Sequence, residues 1–214
     1  TMAIVDSVRI VSEFDGALYF LFKKTATTEI NTRSLRDALP NAGVPQVSGA
    51  EAILVGSCSG ATRGQIAEHE KQHPVLMIDV KEVLSGATGP QQLVDFIQAH
   101  QGQATLVDSS GGPETVRQLR QQYGREKIAE ALDTLFGLTA RQLVAEGVRR
   151  LVVGGGETSG AVVSALDLDA LTIGQEIDTG VPAMVSGGER PIALALKAGH
   201  FRGRDFFARA LKTL

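Results

Sequence analysis

The chain has 214 residues, with 21 lysines and arginines against 24 aspartates and glutamates, 43% hydrophobic residues and one cysteine. A chain of this length can bury a core without a metal or a disulfide, and a single cysteine fits a reducing cytoplasm. The net charge of -3, the 5% of aromatic residues and the lack of apolar runs of roughly 20 residues argue against nucleic-acid and membrane partners. We therefore expect a cytoplasmic globular protein.

The first 47 residues carry the weakest pattern of the chain. A strand is predicted at 18–22, whereas 23–28 and 40–45 are typical of loop and linker. We predict a domain boundary near Val47, with 1–47 as a remnant or linker of a substrate-binding amino-terminal domain and 48–214 as a nucleotide-binding domain.

After this boundary, three segments repeat one local pattern: a short aliphatic run, a turn rich in glycine and serine, and a stretch with helical spacing. The three turns are Gly56–Thr62, Ser109–Pro113 and Gly154–Gly160. This repetition predicts an α/β fold, with a mainly parallel β-sheet flanked by helices in three layers and glycine-rich loops at the carboxyl ends of the strands.

The intervening segments complete this fold. Apolar stripes at helical spacing predict covering helices, and continuous apolar runs predict strands. The predicted elements are helices around 93–97 and 128–136, a buried strand at 75–79, two strands at 183–185 and 192–196 joined by a glycine turn, and a closing helix around 206–214.

The turn Gly154–Gly160 is the richest candidate for chemistry. A glycine turn before a helix presents backbone N–H groups and the positive end of the helix dipole, so it favours an anion such as phosphate. Thr158 and Ser159 could cap the helix or reach a phosphate oxygen, while Glu157 could orient Mg²⁺ through water or hold a ribose. The alternative is a plain strand-to-helix turn, since the segment is neither a Walker A loop nor a complete dinucleotide fingerprint.

The turn after the first run admits two interpretations. Ser57, Ser59 and Thr62 could supply hydroxyls to a second anion-binding loop. Alternatively, Cys58 occupies the nucleophile position of a G-x-nucleophile-x-G elbow, which would make the protein a cysteine-dependent hydrolase. None of the four histidines stands in a recognisable triad context, and the anion-binding interpretation is therefore preferred.

A cluster of cations follows the last predicted strand. Lys197 is the residue that we expect to contact a phosphate, because an ammonium group on a flexible stem acts there as a point charge. The alternative is an ordinary solvated charge near the chain terminus.

Four blocks of the sequence together resemble one family. They are Gly56–Gln65, Gly154–Val162, Gly180–Pro182 and Lys197–Phe201, in that order along about three quarters of the chain. In these blocks the chain is similar to the carboxy-terminal, nucleotide-binding domain of the four-carbon acid sugar kinases, and the GGGETSGAV block is the most specific.

This resemblance implies ATP-dependent phosphorylation of four-carbon sugar acids such as threonate or erythronate, with ATP and Mg²⁺ as cofactors. Carried over position by position, it implies a nucleotide site built from part of each block. The implied residues are Ser57, Ser59, Gly155, Gly156, Glu157, Thr158 and Gly199, to which the charge argument adds Lys197. No metal ligand and no catalytic base are assigned.

The family's substrate-binding domain is not recognisable in the first 47 residues. Its acidic motif is absent, and 23–28 retains only a degraded form of its Lys-Lys-x-Asp-Ser-Thr-like segment. We therefore expect a fragment or remnant that is inactive or weakly active without that domain. A non-catalytic nucleotide-sensing or protein-interaction module is the alternative, and the oligomeric state, including a homodimer, is left open.

Overall fold

The computed structural model describes residues 3–5, 8–14, 17–22, 46–57, 59–168, 171–198 and 203–214. Within these residues the chain forms ten strands and seven helices. The strands are Ala3–Val5 (β1), Val8–Phe14 (β2), Ala17–Phe22 (β3), Ala50–Val55 (β4), Val75–Met77 (β5), Leu106–Asp108 (β6), Val148–Gly154 (β7), Leu171–Asp178 (β8), Val181–Ser186 (β9) and Ala193–Lys197 (β10). The helices are Gly60–His69 (α1), Val80–Ser85 (α2), Pro90–Ala99 (α3), Pro113–Tyr123 (α4), Arg125–Ala145 (α5), Gly156–Ala165 (α6) and Phe206–Thr213 (α7).

These strands form one sheet in the order β1-β2-β3-β8-β9-β10-β7-β4-β6-β5. Strands β10, β7, β4, β6 and β5 run parallel to one another, whereas β9 pairs antiparallel with β10, and β8 pairs antiparallel with β9. The predicted α/β fold with a mainly parallel sheet is therefore confirmed for the seven strands from β8 to β5. The antiparallel part arises where short turns, rather than helices, connect β8 to β9 and β9 to β10.

The two sheet faces are covered by different helices. Along β4, Ala52 and Leu54 pack in the cluster that contains apolar residues of α3, α5 and α6. Ile53 and Val55 pack in a second cluster, which contains residues of α1 and α7. Since successive side chains of a strand point to opposite faces, these clusters are the two cores of a three-layer domain.

The first strands continue this sheet. The predicted strand at 18–22 corresponds to β3, which pairs with β8 at Tyr19 and Thr172. The predicted loops at 23–28 and 40–45 lie outside the described residues. The boundary near Val47 stays a prediction.

Two features differ from the sequence-based expectation. The strand predicted as buried at 75–79 is the short edge strand β5, where Met77 is 66% exposed. Strand β8 was not predicted, because Gly174 and the acidic residues Glu176 and Asp178 interrupt its apolar pattern. In the part of the chain that the structure describes, no helix combines the length and apolar character that crossing a membrane requires.

Candidate functional site

The central strands β4 and β7 lie side by side and end at the same edge of the sheet, with Val55 opposite Gly154. After β4 the chain enters α1 on one face, and after β7 it enters α6 on the other. Ligands of open α/β sheets bind in the crevice that opens where neighbouring strands connect to opposite faces. The topology therefore places the candidate site between the β4–α1 loop and the β7–α6 loop.

The β4–α1 loop carries a group of hydroxyls. Ser59 is the N-cap of α1 and accepts a hydrogen bond at Oγ from the Thr62 backbone N–H, at 3.1 Å. The Ser59 hydroxyl donates to Thr62 Oγ1 at 2.9 Å, and Thr62 Oγ1 donates to Ser57 Oγ at 3.3 Å. Ser57 Oγ also accepts from the Ser59 backbone N–H at 3.3 Å. The capping geometry of α1 thus holds three hydroxyls together at the crevice.

Lys197 lies directly behind these hydroxyls. It ends β10, is 1% exposed, and donates from Nζ to Thr62 Oγ1 at 2.9 Å. Its ammonium group also lies 5.8 Å from the centre of the Phe206 ring, within the range of a cation–π interaction. The alternative interpretation of this residue, an ordinary solvated charge, is therefore wrong, and its contact with a phosphate stays a prediction.

The charge of Lys197 has no carboxylate in contact with it among the described residues. Asp178 contributes only a longer-range attraction and is itself paired with Arg209 at 2.9 Å. Burial lowers the pKa of Lys197 to about 8, and the negative charge of Asp178 opposes this shift. A buried cation whose contacts are all neutral is electrostatically prepared for an anion.

Backbone hydrogen bonds tie the loops of the crevice together. The Gly56 N–H donates to the Gly154 carbonyl at 2.8 Å, and the Gly155 N–H donates to the Lys197 carbonyl at 2.8 Å. Gly155 has φ +126°, which strongly favours glycine, and a Cβ there would lie 3.2 Å from the Ser57 nitrogen. The β7–α6 loop therefore packs closely against the β4–α1 loop.

Thr158 lies inside this contact. It is buried, and a Cβ added to Gly56 would come within 2.1 Å of Thr158 Oγ1. The N-cap of α6 is Gly155, which has no side chain to cap the helix. The expectation that Thr158 caps α6 is thus not met, because its side chain packs against Gly56 instead. Its contact with a phosphate stays a prediction.

Glu157 lies on the exposed first turn of α6. It pairs with Arg125 at 3.3 Å across the surface. Burial raises the pKa of Asp133 to about 6, and the negative charge of Glu157 adds to this effect. Among the described residues, no group of three or more histidine, cysteine or acidic side chains could hold a metal ion. A role of Glu157 toward Mg²⁺ or ribose stays a prediction.

The structure brings Ser57, Ser59, Lys197 and Gly155 together, with Gly156 and Glu157 on the adjoining first turn of α6. Gly199 and Cys58 lie outside the described residues. Thr62, which the sequence analysis names among the loop hydroxyls, is missing only from the residue set that the family resemblance implies. Its position three residues after a serine N-cap marks it as part of the first turn, but its contact with Lys197, 135 residues away, cannot be read from local sequence.

The histidines bear on the hydrolase alternative. His69 and His73 contact the carbonyl oxygens of Ala104 and Gln103, which precede β6. His100 contacts the Phe96 carbonyl at the end of α3. These three rings therefore lie toward the amino edge of the parallel strands, opposite the β4–α1 loop. His200 is outside the described residues.

Comparison with known proteins identifies the family of this chain. The family described as the nucleotide-binding C-terminal domain matches residues 52–207. A 3-oxo-tetronate kinase of Pseudomonas fluorescens is 46% identical over 84% of this chain and 42% of its own length. One of Pectobacterium atrosepticum is 37% identical over 96% of this chain and 48% of its own.

The fold has a counterpart among solved structures. The crystal structure of a Haemophilus influenzae protein of family DUF1537 superposes with a TM-score of 0.76 at 28% identity, over 84% of this chain and 44% of that one. The chain thus spans less than half the length of the relatives it matches. From the matched residues, the chain belongs to the family of nucleotide-binding C-terminal domains, which confirms its resemblance to the four-carbon acid sugar kinases.

Proposed function

We propose that this chain is the ATP-binding part of a kinase that phosphorylates four-carbon sugar acids, and that it is inactive or weakly active without a separate substrate-binding domain. The family assignment supports nucleotide binding, and the names of the curated relatives support a carbohydrate-acid kinase. The observation that carries the proposal is the buried Lys197 ammonium, which among the described residues contacts the Thr62 hydroxyl and the Ala198 carbonyl and no carboxylate.

A chain of hydrogen bonds from Lys197 through Thr62 to Ser57 lets the buried cation attract a phosphate without contacting it directly. Lys197 donates to Thr62 Oγ1, which leaves the Thr62 proton to be donated to Ser57 Oγ. Ser57 Oγ is an acceptor in each of its contacts with described residues, so its own proton is available to a phosphate oxygen. Hydrogen bonds in such a chain polarise one another, which strengthens the terminal donor.

The β7–α6 loop supplies the complementary backbone. With glycine at 154, 155 and 156, no Cβ separates an incoming phosphate from the amides at the start of α6. In this proposal the nucleotide contacts Ser57, Ser59, Gly155, Gly156, Glu157, Thr158 and Gly199, with Lys197 behind them.

Mg²⁺ is part of the proposal as the companion of the triphosphate. When bound with ATP it neutralises part of the triphosphate charge, a contribution common to phosphoryl-transfer enzymes. Since Mg²⁺ usually keeps several waters and takes one or two protein carboxylates, a site held mainly by phosphates fits the described residues.

Two measurements on the chain test this function. Mg-ATP at about 100 times its Kd is expected to stabilise the fold by about 2.7 kcal/mol, seen as a rise in Tm. No rise at saturating concentrations would contradict nucleotide binding. Adding the amino-terminal domain of the Pseudomonas fluorescens relative is then expected to give turnover of a four-carbon sugar acid. Binding without turnover would favour the non-catalytic nucleotide-sensing module.

A further inference from the structure

The β6–α4 loop contains a buried hydroxyl that the proposed site does not use. Ser109 directly follows β6, and its backbone N–H donates to the Val55 carbonyl at 3.0 Å, which places it beside Gly56. Ser109 is 4% exposed, and its Oγ has no hydrogen-bond partner among the described residues. Leaving a buried hydroxyl unpaired costs about 1–3 kcal/mol, so the group calls for an explanation.

Its neighbours in the loop satisfy one another. The Asp108 carboxylate accepts from the Ser110 N–H at 2.7 Å and from the Ser110 hydroxyl at 2.8 Å. This carboxylate is 1% exposed, and its burial raises its pKa to about 6. Asp108 and Ser110 are therefore hydrogen-bonded to each other, whereas the hydroxyl of Ser109, between them, has no partner among the described residues.

The direction of Ser109 follows from the strand. Because its N–H continues the β6–β4 ladder, its side chain lies on the same face as Val107, two residues earlier. Val107 belongs to the core of α3, α5 and α6, and α4 packs against α5 on that face. Gly56 meets Thr158 of α6 on this face as well. The Ser109 side chain therefore lies on the face of the sheet that α4, α5 and α6 cover, at the carboxyl end of β6 from which the chain leads into α4.

The amino end of α4 is open. Its N-cap is Gly112, which makes no side-chain hydrogen bond, and the first helical residue is Pro113. A Cβ placed on Gly112 would meet no atom within 4 Å. An uncapped amino end of an eleven-residue helix presents free N–H groups and partial positive charge to whatever occupies this space.

We infer that Ser109 and the amino end of α4 form an additional oxyanion subsite of the crevice, which takes a phosphate oxygen of the bound nucleotide. The inference rests on the proposed function and extends the site by one strand, from β4 to β6. The ligand is an oxyanion because the subsite offers hydrogen-bond donors. The nearby Asp108 carboxylate already accepts two hydrogen bonds from Ser110. The Glu114 side chain lies on the exposed side of α4.

The test compares Ser109→Ala with Ser186→Ala by titration with Mg-ATP, Mg-ADP and threonate. Ser186 is a matched control, because it is also a buried serine but accepts from the Ile192 N–H at 2.9 Å, at the opposite edge of the sheet. Ser109→Ala is expected to raise the Kd for Mg-ATP about 10- to 100-fold while leaving the Tm of the unliganded chain unchanged or higher. Ser186→Ala is expected to lower the Tm and leave the Kd unchanged.

The outcomes separate this inference from the function it rests on. If the wild-type chain binds Mg-ATP and Ser109→Ala binds it equally well, the subsite is overturned and the nucleotide site stands. A lower Tm of unliganded Ser109→Ala would also overturn it, since the hydroxyl would then be satisfied within the fold. Weaker binding of threonate alone would assign the subsite to a carboxylate rather than to the nucleotide. If the wild-type chain binds no nucleotide, both proposals fail.

Discussion

The two loops of the crevice are built in opposite ways. The β4–α1 loop offers side-chain hydroxyls, fixed by the N-cap of α1 and backed by a buried cation. The β7–α6 loop offers backbone, with glycines that allow close approach and a threonine that points into the protein. The block Gly154–Val162, which resembles the family most specifically, therefore serves partly to pack the two loops together. The electrostatic attraction for a phosphate comes from the β4–α1 loop and from β10.

The largest effect is expected where the two loops touch. Gly155→Ala places a Cβ at φ +126° and 3.2 Å from both the Ser57 nitrogen and Thr158 Oγ1. Strain and overlap together are expected to lower the free energy of unfolding by about 2 to 4 kcal/mol, measured by urea denaturation.

Gly156→Ala is the matched control for this substitution. Gly156 is the first residue of α6, and a Cβ there would meet no atom within 4 Å. We expect its stability to equal or exceed that of the wild type, since alanine is the better helix former. Equal destabilisation by the two substitutions would show that the loops are not in close contact.

The buried cation predicts an unusual pH dependence of stability. The folded pKa of Lys197 is about 8, against an ordinary value of 10.5, so between these values the unfolded chain binds more protons than the folded one. The free energy of unfolding is therefore expected to rise with pH across this window, by at most about 3 kcal/mol. Lys197→Met should lack this rise. Parallel pH profiles for the two proteins would contradict the burial of the ammonium.

A smaller effect tests the connection between cation and loop. Thr62→Val removes the hydroxyl that joins Lys197 to Ser57 and keeps the side-chain volume. We expect the Kd for Mg-ATP to rise about 10-fold by calorimetry, since one hydrogen bond in a polarised chain is lost. Thr62→Ser keeps the hydroxyl and is expected to bind like the wild type. If serine and valine weaken binding equally, Thr62 acts through packing and not as a relay.

Local sequence was sufficient for the main elements of the fold. The strands, turns and helices around Ile53, Val107 and Val152 were predicted because buried parallel strands are continuous apolar runs followed by glycine-rich turns. The hairpin β9–β10 followed from the turn at 186–191. Strand β8 was not predicted, because a half-buried strand with acidic residues has no continuous apolar run.

The site was predictable only in part, because its decisive contacts join distant segments. That Ser57 and Ser59 lie in an anion-binding loop could be expected from the turn alone. The burial of Lys197 depends on α7 and Phe206, and the inward direction of Thr158 depends on Gly56. Neither the burial of Lys197 nor the direction of Thr158 can be predicted from the few residues on either side of it in the sequence.

The central claim is that a buried ammonium behind the β4–α1 loop attracts the nucleotide. Calorimetric titration of Mg-ATP into the wild type, Lys197→Met and Lys212→Met tests it directly, with Lys212 as an exposed lysine of α7. We predict saturable binding for the wild type and Lys212→Met, and a Kd at least about 100-fold higher for Lys197→Met. Equal affinity of all three proteins would contradict the account, and so would the absence of binding heat in the wild type.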